Sequence, residues 1–175
     1  MRSQVIRLAS DVGELRIWLA TLVLSRPMND ELLSRVKSII SGCRDSLITI
    51  VPARMILNPW QMMYPAYLSL REHLMGVSRF RDVGLGALTY MAGTTQLRRG
   101  LSLLNPVGHD QVSIIIMGVD DCVDRIISDV IRVLNDRIMD AAIGVGIHRS
   151  YTGGIFNTID EFINTLISRY IGGLT

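Results

Sequence analysis

The apolar residues of this chain change period along the sequence, and the change recurs three times: a β-branched run gives way to a stripe at helical spacing. That alternation restricts the fold more than any other feature, because each run needs a sheet to join and each stripe needs a sheet face to cover. The first run, "ELRIWLATLVL" (14–24), predicts a buried strand that ends at Arg26-Pro27. In "NDELLSRVKSII" (29–40), Asn29 is a candidate N-cap and acids follow in the first turn. Leu32, Leu33, Val36, Ile39 and Ile40 share one stripe, and Gly42 is the stop signal. The second run, "SLITIVPARMI" (46–56), predicts a strand over its first half. A helix is expected from Asn58 or Pro65 to about Leu74, with proline at an N1-like position and Gly76 closing it. The third run, "QVSIIIMGV" (111–119), precedes "DDCVDRIISDVIRVLN" (120–135), where Val123, Ile126, Ile127, Val130 and Leu134 recur at helical spacing.

Between the second and third units the spacing predicts two helices joined as a hairpin. One covers 82–92 with Gly93 as its C′ residue; the other is capped by Thr94 or Thr95 and runs to about Leu104, before Asn105-Pro106-Val107-Gly108. After Asp136 the pattern weakens. "GVGIHRSYTGGIFN" reads as a glycine-rich loop with at most a short strand over 141–147, and Thr158 opens a final amphipathic helix carrying Phe162, Ile163, Leu166, Ile167 and Tyr170. The expectation is one α/β (α+β) domain over 1–175, with a small mixed sheet packed by several helices, among them a central helical hairpin.

Composition narrows the function classes. With 49% hydrophobic and 19% charged residues the chain is too apolar for disorder, and its apolar excess predicts a partner surface. "IWLATLVL" (17–24) falls short of the roughly 20 residues of a spanning helix, and no small-residue cleavage site follows it, so neither signal peptide nor membrane anchor is expected. Cys43 and Cys122 show no metal-ligand spacing, and a reduced, cytoplasmic setting is expected. Residues 1–100 carry 13 Lys/Arg against 7 Asp/Glu, whereas 101–175 carry 5 against 9, which predicts different partners for the two parts. Lys37 is the only lysine among the 18 basic residues.

No catalytic constellation stands out. Asp120, Asp121 and Asp124 lie where a helix start favours acids, and His73, His109 and His148 lack partners at motif spacing. The glycine-rich loop lacks the order of a nucleotide-binding fingerprint. Neither a metal nor a cofactor is expected. The hairpin is more informative: in Thr94-Thr95-Gln96-Leu97-Arg98-Arg99, helix-start amides, two hydroxyls, an amide side chain and two guanidinium groups point to an anion. Arg79 and Arg81, just before the preceding helix, join that set if their loop folds toward it.

These segments resemble the small tRNA-binding subunit of the KEOPS complex, in its archaeal form. "GLGALTYMAGTTQLRRGL" (84–101) looks like the family's helix, its Tyr-x-Ala/Ser-Gly turn, a Thr-Arg-Gln-Ile-like box and an Ala-Leu-type helix, with Gly93, Thr94, Gln96 and Leu97 matching the box. "RPMNDELLSRVKS" is similar to the helix after the first strand, "ITIVPARMILNPWQMMYPAYLSL" to the next strand and helix, with Met62 and Ala66 in key places, and "ISRYIGG" to the closing helix. Gly86 stands where the family usually has glutamate and Thr95 where it has arginine; Arg98 and Arg99, up to one turn later, are the candidates to supply that cation. The resemblance implies a non-catalytic subunit that holds the 3′ CCA end of tRNA and binds the kinase-like ATPase of KEOPS, supporting threonylcarbamoyl-adenosine formation. The implied tRNA-binding set is Gly93, Thr94, Thr95, Gln96, Arg98, Arg99, Arg79 and Arg81. Partner contact is expected through Ile163, Ile167, Tyr170 and Ile171 on the closing helix. The alternative class is a small-anion or nucleotide-binding regulatory module built on the same helix start.

Overall fold

A computed structural model of the chain describes residues 5–56, 59–93 and 97–143. The elements are β1 (Ile6–Ser10), β2 (Gly13–Leu24), α1 (Asp30–Ser38), β3 (Ser46–Pro52), α2 (Trp60–Leu74), α3 (Val83–Met91), α4 (Leu97–Leu103), β4 (Gln111–Gly118), α5 (Cys122–Leu134) and β5 (Ile138–Ile143). The three predicted strand-to-helix units are β2–α1, β3–α2 and β4–α5. The architecture is α+β: one five-stranded sheet packed with five helices.

The sheet runs β1-β2-β4-β3, with β5 sharing the β1 edge of β2, and every pairing is antiparallel, so it is not the mixed sheet expected from strand–helix alternation. The reason lies in strand order. β2 and β3 point the same way, joined by the α1 crossover, and β4 is inserted between them in the opposite sense. β1 was not foreseen. It pairs Ile6–Ser10 with Gly13–Ile17 through a tight turn at Gly13, whose φ of 120° is open to glycine.

Alternation along β2 divides two cores. Leu15, Ile17 and Leu19, with Leu47, Val51, Ile115 and Met117, face α2, α3 and α4. Trp18, Ala20, Leu22 and Leu24, with Ile48, Ile50, Ile114 and Ile116, face α1 and α5. Burial of both faces is why these strands read as near-continuous apolar runs.

The helix ends follow their capping residues. Asn29 Oδ1 accepts from the Leu32 amide at 2.9 Å, and Asp82 Oδ1 from the Leu85 amide at 3.1 Å. Past α2, Gly76 (φ 70°) lets its own amide reach the His73 carbonyl and the Val77 amide reach that of Glu72, which stops the helix. Of the two starts expected for α2 the structure takes the earlier, with Pro59 as the cap residue immediately before the helix and Pro65 inside it. The strand expected over 141–147 begins earlier, at Ile138, and residues from 144 on, with the glycine-rich loop and closing helix, lie outside the described residues.

Cys43, in the turn after α1, and Cys122, at the start of α5, form a disulfide across 79 residues, in place of the reduced pair expected from sequence; their Cα atoms are 5.9 Å apart. Arg125 Nη2 donates to Cys43 Sγ at 2.8 Å. No described helix is long and apolar enough to cross a membrane.

Candidate nucleic-acid interface

The hairpin begins with α3, a nine-residue helix held against α2 by close approach. A Cβ at Gly86 would collide with Ser69 Oγ and come within 3.0 Å of the Phe80 ring, and Ser69 Oγ is itself committed to the Val83 carbonyl at 2.7 Å. Any side chain at this position would force Ser69 and Phe80, and with them α2 and α3, to shift. Gly84 does the same toward the sheet, since a Cβ there would lie 2.6 Å from the Ile48 carbonyl oxygen. In return Thr49 Oγ1 donates to the Gly84 carbonyl at 3.2 Å.

α3 ends at Gly93 (φ 60°), whose amide donates to the Tyr90 carbonyl, so the chain turns where the sequence predicts. α4 then packs against α3. Arg98 in its first turn is exposed, and Arg99 follows it on the same helix. Thr94, Thr95 and Gln96, and the side chain of Arg99, lie outside what the structure describes.

Arg79 and Arg81 part company. Phe80 meets Tyr90 edge to face, with ring centroids 6.1 Å apart, so the loop before α3 lies along the helix toward its last turn. Burial raises the Tyr90 hydroxyl above its usual pKa, and its 2.7 Å hydrogen bond to Glu72 and that carboxylate's charge add to the rise, while the Arg79 charge opposes it. Arg79, exposed next to Phe80, is near enough for its charge to act on that hydroxyl. Of the pair expected to join the anion set, Arg79 is exposed beside Phe80, while Arg81 lines a cavity between α1, β3 and α3.

Tyr90 is packed on Phe80 and tied to Glu72, and Trp60 packs against the core, so each has a structural role besides any stacking on a base. The acids of α5 are likewise engaged. Asp120 Oδ1 accepts from Ser46 Oγ at 2.8 Å and the Cys122 amide at 3.1 Å, while Asp121 and Asp124 meet Arg16 at 2.6 and 3.1 Å. Among the described residues no group of three or more His, Cys, Asp or Glu is arranged to hold a metal ion. Ile163, Ile167, Tyr170 and Ile171 lie outside the described residues.

No protein-family model matches the chain, and no curated protein is significantly similar to it.

Proposed function

We propose that the chain is a non-catalytic KEOPS-type subunit that holds the 3′ CCA end of tRNA at the Gly93 turn and binds the kinase-like ATPase, supporting threonylcarbamoyl-adenosine formation on tRNA. The observation that supports this reading is the exposed Arg98 in the first turn of α4, directly after the Gly93 turn, with a second exposed cation, Arg79, next to the Phe80 ring that meets Tyr90 in the last turn of α3. Guanidinium groups suit phosphate through their forked donors, and single-stranded RNA ends are held by phosphate contacts together with hydrogen bonds to base edges. Thr94, Thr95 and Gln96 fall between these cations in sequence, where hydroxyl and amide groups serve for edge recognition. The kinase-like partner docks on the stripe of Ile163, Ile167, Tyr170 and Ile171. The reading places the chain in an archaeal-type cytoplasm, and in hyperthermophilic archaea intracellular disulfides such as Cys43–Cys122 persist.

The test compares electrophoretic binding of intact tRNA with binding of the same tRNA trimmed of its CCA end. Trimming is expected to abolish most binding; equal affinity for the two would contradict the reading. The same preparation is expected to show no ATP turnover by itself, and steady hydrolysis that survives repeated purification would overturn the non-catalytic assignment.

A further inference from the structure

The cavity beside Arg81 encloses about 490 Å³, within the range of small-molecule sites. Its walls are apolar on two sides, with Ile48 from the edge strand β3 and Leu88 from α3. Three cations from three different segments line it: Lys37 in the last turn of α1, Arg44 in the turn before β3, and Arg81 before α3. None of the three makes an ion pair with another described residue, whereas Arg16, Arg71 and Arg132 all do. Two carboxylates line the same space, Asp45 and Asp82, the second also accepting from the Leu85 amide, so the lining carries three positive charges against two negative. Positive charge therefore exceeds negative in a cleft with low-dielectric walls, which focuses the field on whatever enters.

We propose that this cavity is a binding site for a small phosphate monoester with a compact apolar or ring-bearing body, separate from the Gly93 turn and independent of the tRNA reading. Arg44 and Arg81 supply forked donors for the phosphate oxygens, Lys37 a point charge, and the Ile48–Leu88 walls receive the body. A phosphate ester answers both features of the cavity: a simple inorganic anion would leave the apolar walls wet, and an uncharged ligand would leave the excess positive charge of the lining without a counter-charge.

Lys37 is the only lysine in the chain, so its acylation by an amine-selective reagent can be followed by peptide mass spectrometry without interference from other lysines. On the full chain at constant ionic strength, inorganic phosphate is expected to slow acylation of Lys37, adenosine monophosphate to slow it at lower concentration, and adenosine to have no effect. In an Arg44→Gln/Arg81→Gln variant with an unchanged unfolding midpoint, protection should need at least about tenfold more ligand, since two charge-assisted contacts are lost. If neither phosphate compound slows the reaction, if chloride at equal ionic strength protects as well, or if the variant is protected like the parent, the proposal fails. Should the double variant unfold, the single Arg44→Gln variant, altered only at an exposed turn residue, carries the same comparison.

Discussion

Gly86 sets the spacing of α2 and α3 by lacking a side chain. Its missing Cβ is where Ser69 Oγ and the Phe80 ring already are, and the buried Ser69 hydroxyl cannot swing aside without giving up its hydrogen bond to the Val83 carbonyl. Gly86→Ala should therefore cost about 1–3 kcal/mol, the usual range for overpacking a core. Urea unfolding measures it, and an unchanged midpoint would mean that the two helices yield more readily than their packing implies. Gly93 differs, because its surroundings are open and only its positive φ demands glycine. Its role was readable from the sequence, since a glycine ending an apolar helical stripe has one common use. The role of Gly86 was not, because close approach is a property of two elements at once.

Among the elements, the β1–β2 hairpin is joined to α2 through its turn. Asp11 accepts from Arg71 Nε at 2.6 Å and from the Tyr67 hydroxyl at 2.8 Å, and these bonds, with the arginine charge, hold its carboxyl below the usual 3.8. A carboxylate depressed in the folded state contributes stability above its unfolded pKa and loses it as pH falls through the folded value. The stability difference between the parent and Asp11→Asn should be constant from neutral pH down to about 4 and shrink below that as the carboxyl protonates. Denaturation series at stepped pH check this, and a difference that widens toward acid would reverse the sign. Both residues are partly exposed, so the effect is modest. The cap at Asn29 was legible because it bonds within three residues of itself, whereas Asp82, read as the first residue of its helix, is the cap before it. The Asp11 clamp spans 60 residues and was not. Nor was the cavity, whose Lys37, Arg44 and Arg81 are brought together only when α1, β3 and α3 assemble.

For the molecule as a whole, the alternation of runs and stripes led to the layered α+β arrangement but not to its strand order, because periodicity reports which face a residue takes and not which strand lies beside it. The disulfide belongs to this scale. It joins the turn after α1 to the start of α5 across 79 residues, so reduction should lower stability by about 2–4 kcal/mol, read from unfolding midpoints with and without reductant. A Cys43→Ser/Cys122→Ser chain should match the reduced parent, and identical midpoints for all three would mean that the bond contributes nothing. The central claim concerns the Gly93 turn as an RNA-end site, and charge reversal at Arg98 and Arg99 tests it most directly. Arg98 is exposed, and changes at exposed helical positions usually fall within about half a kcal/mol of stability, so folding should be nearly unaffected. Binding of intact tRNA by Arg98→Glu/Arg99→Glu, measured across a range of salt concentrations, should weaken strongly. Its log-log salt slope should be flatter by roughly 1.4, at about 0.7 per lost phosphate contact on a single strand. A variant that binds tRNA like the parent at every salt concentration would contradict the account and leave the two arginines as solvated residues of a helix face.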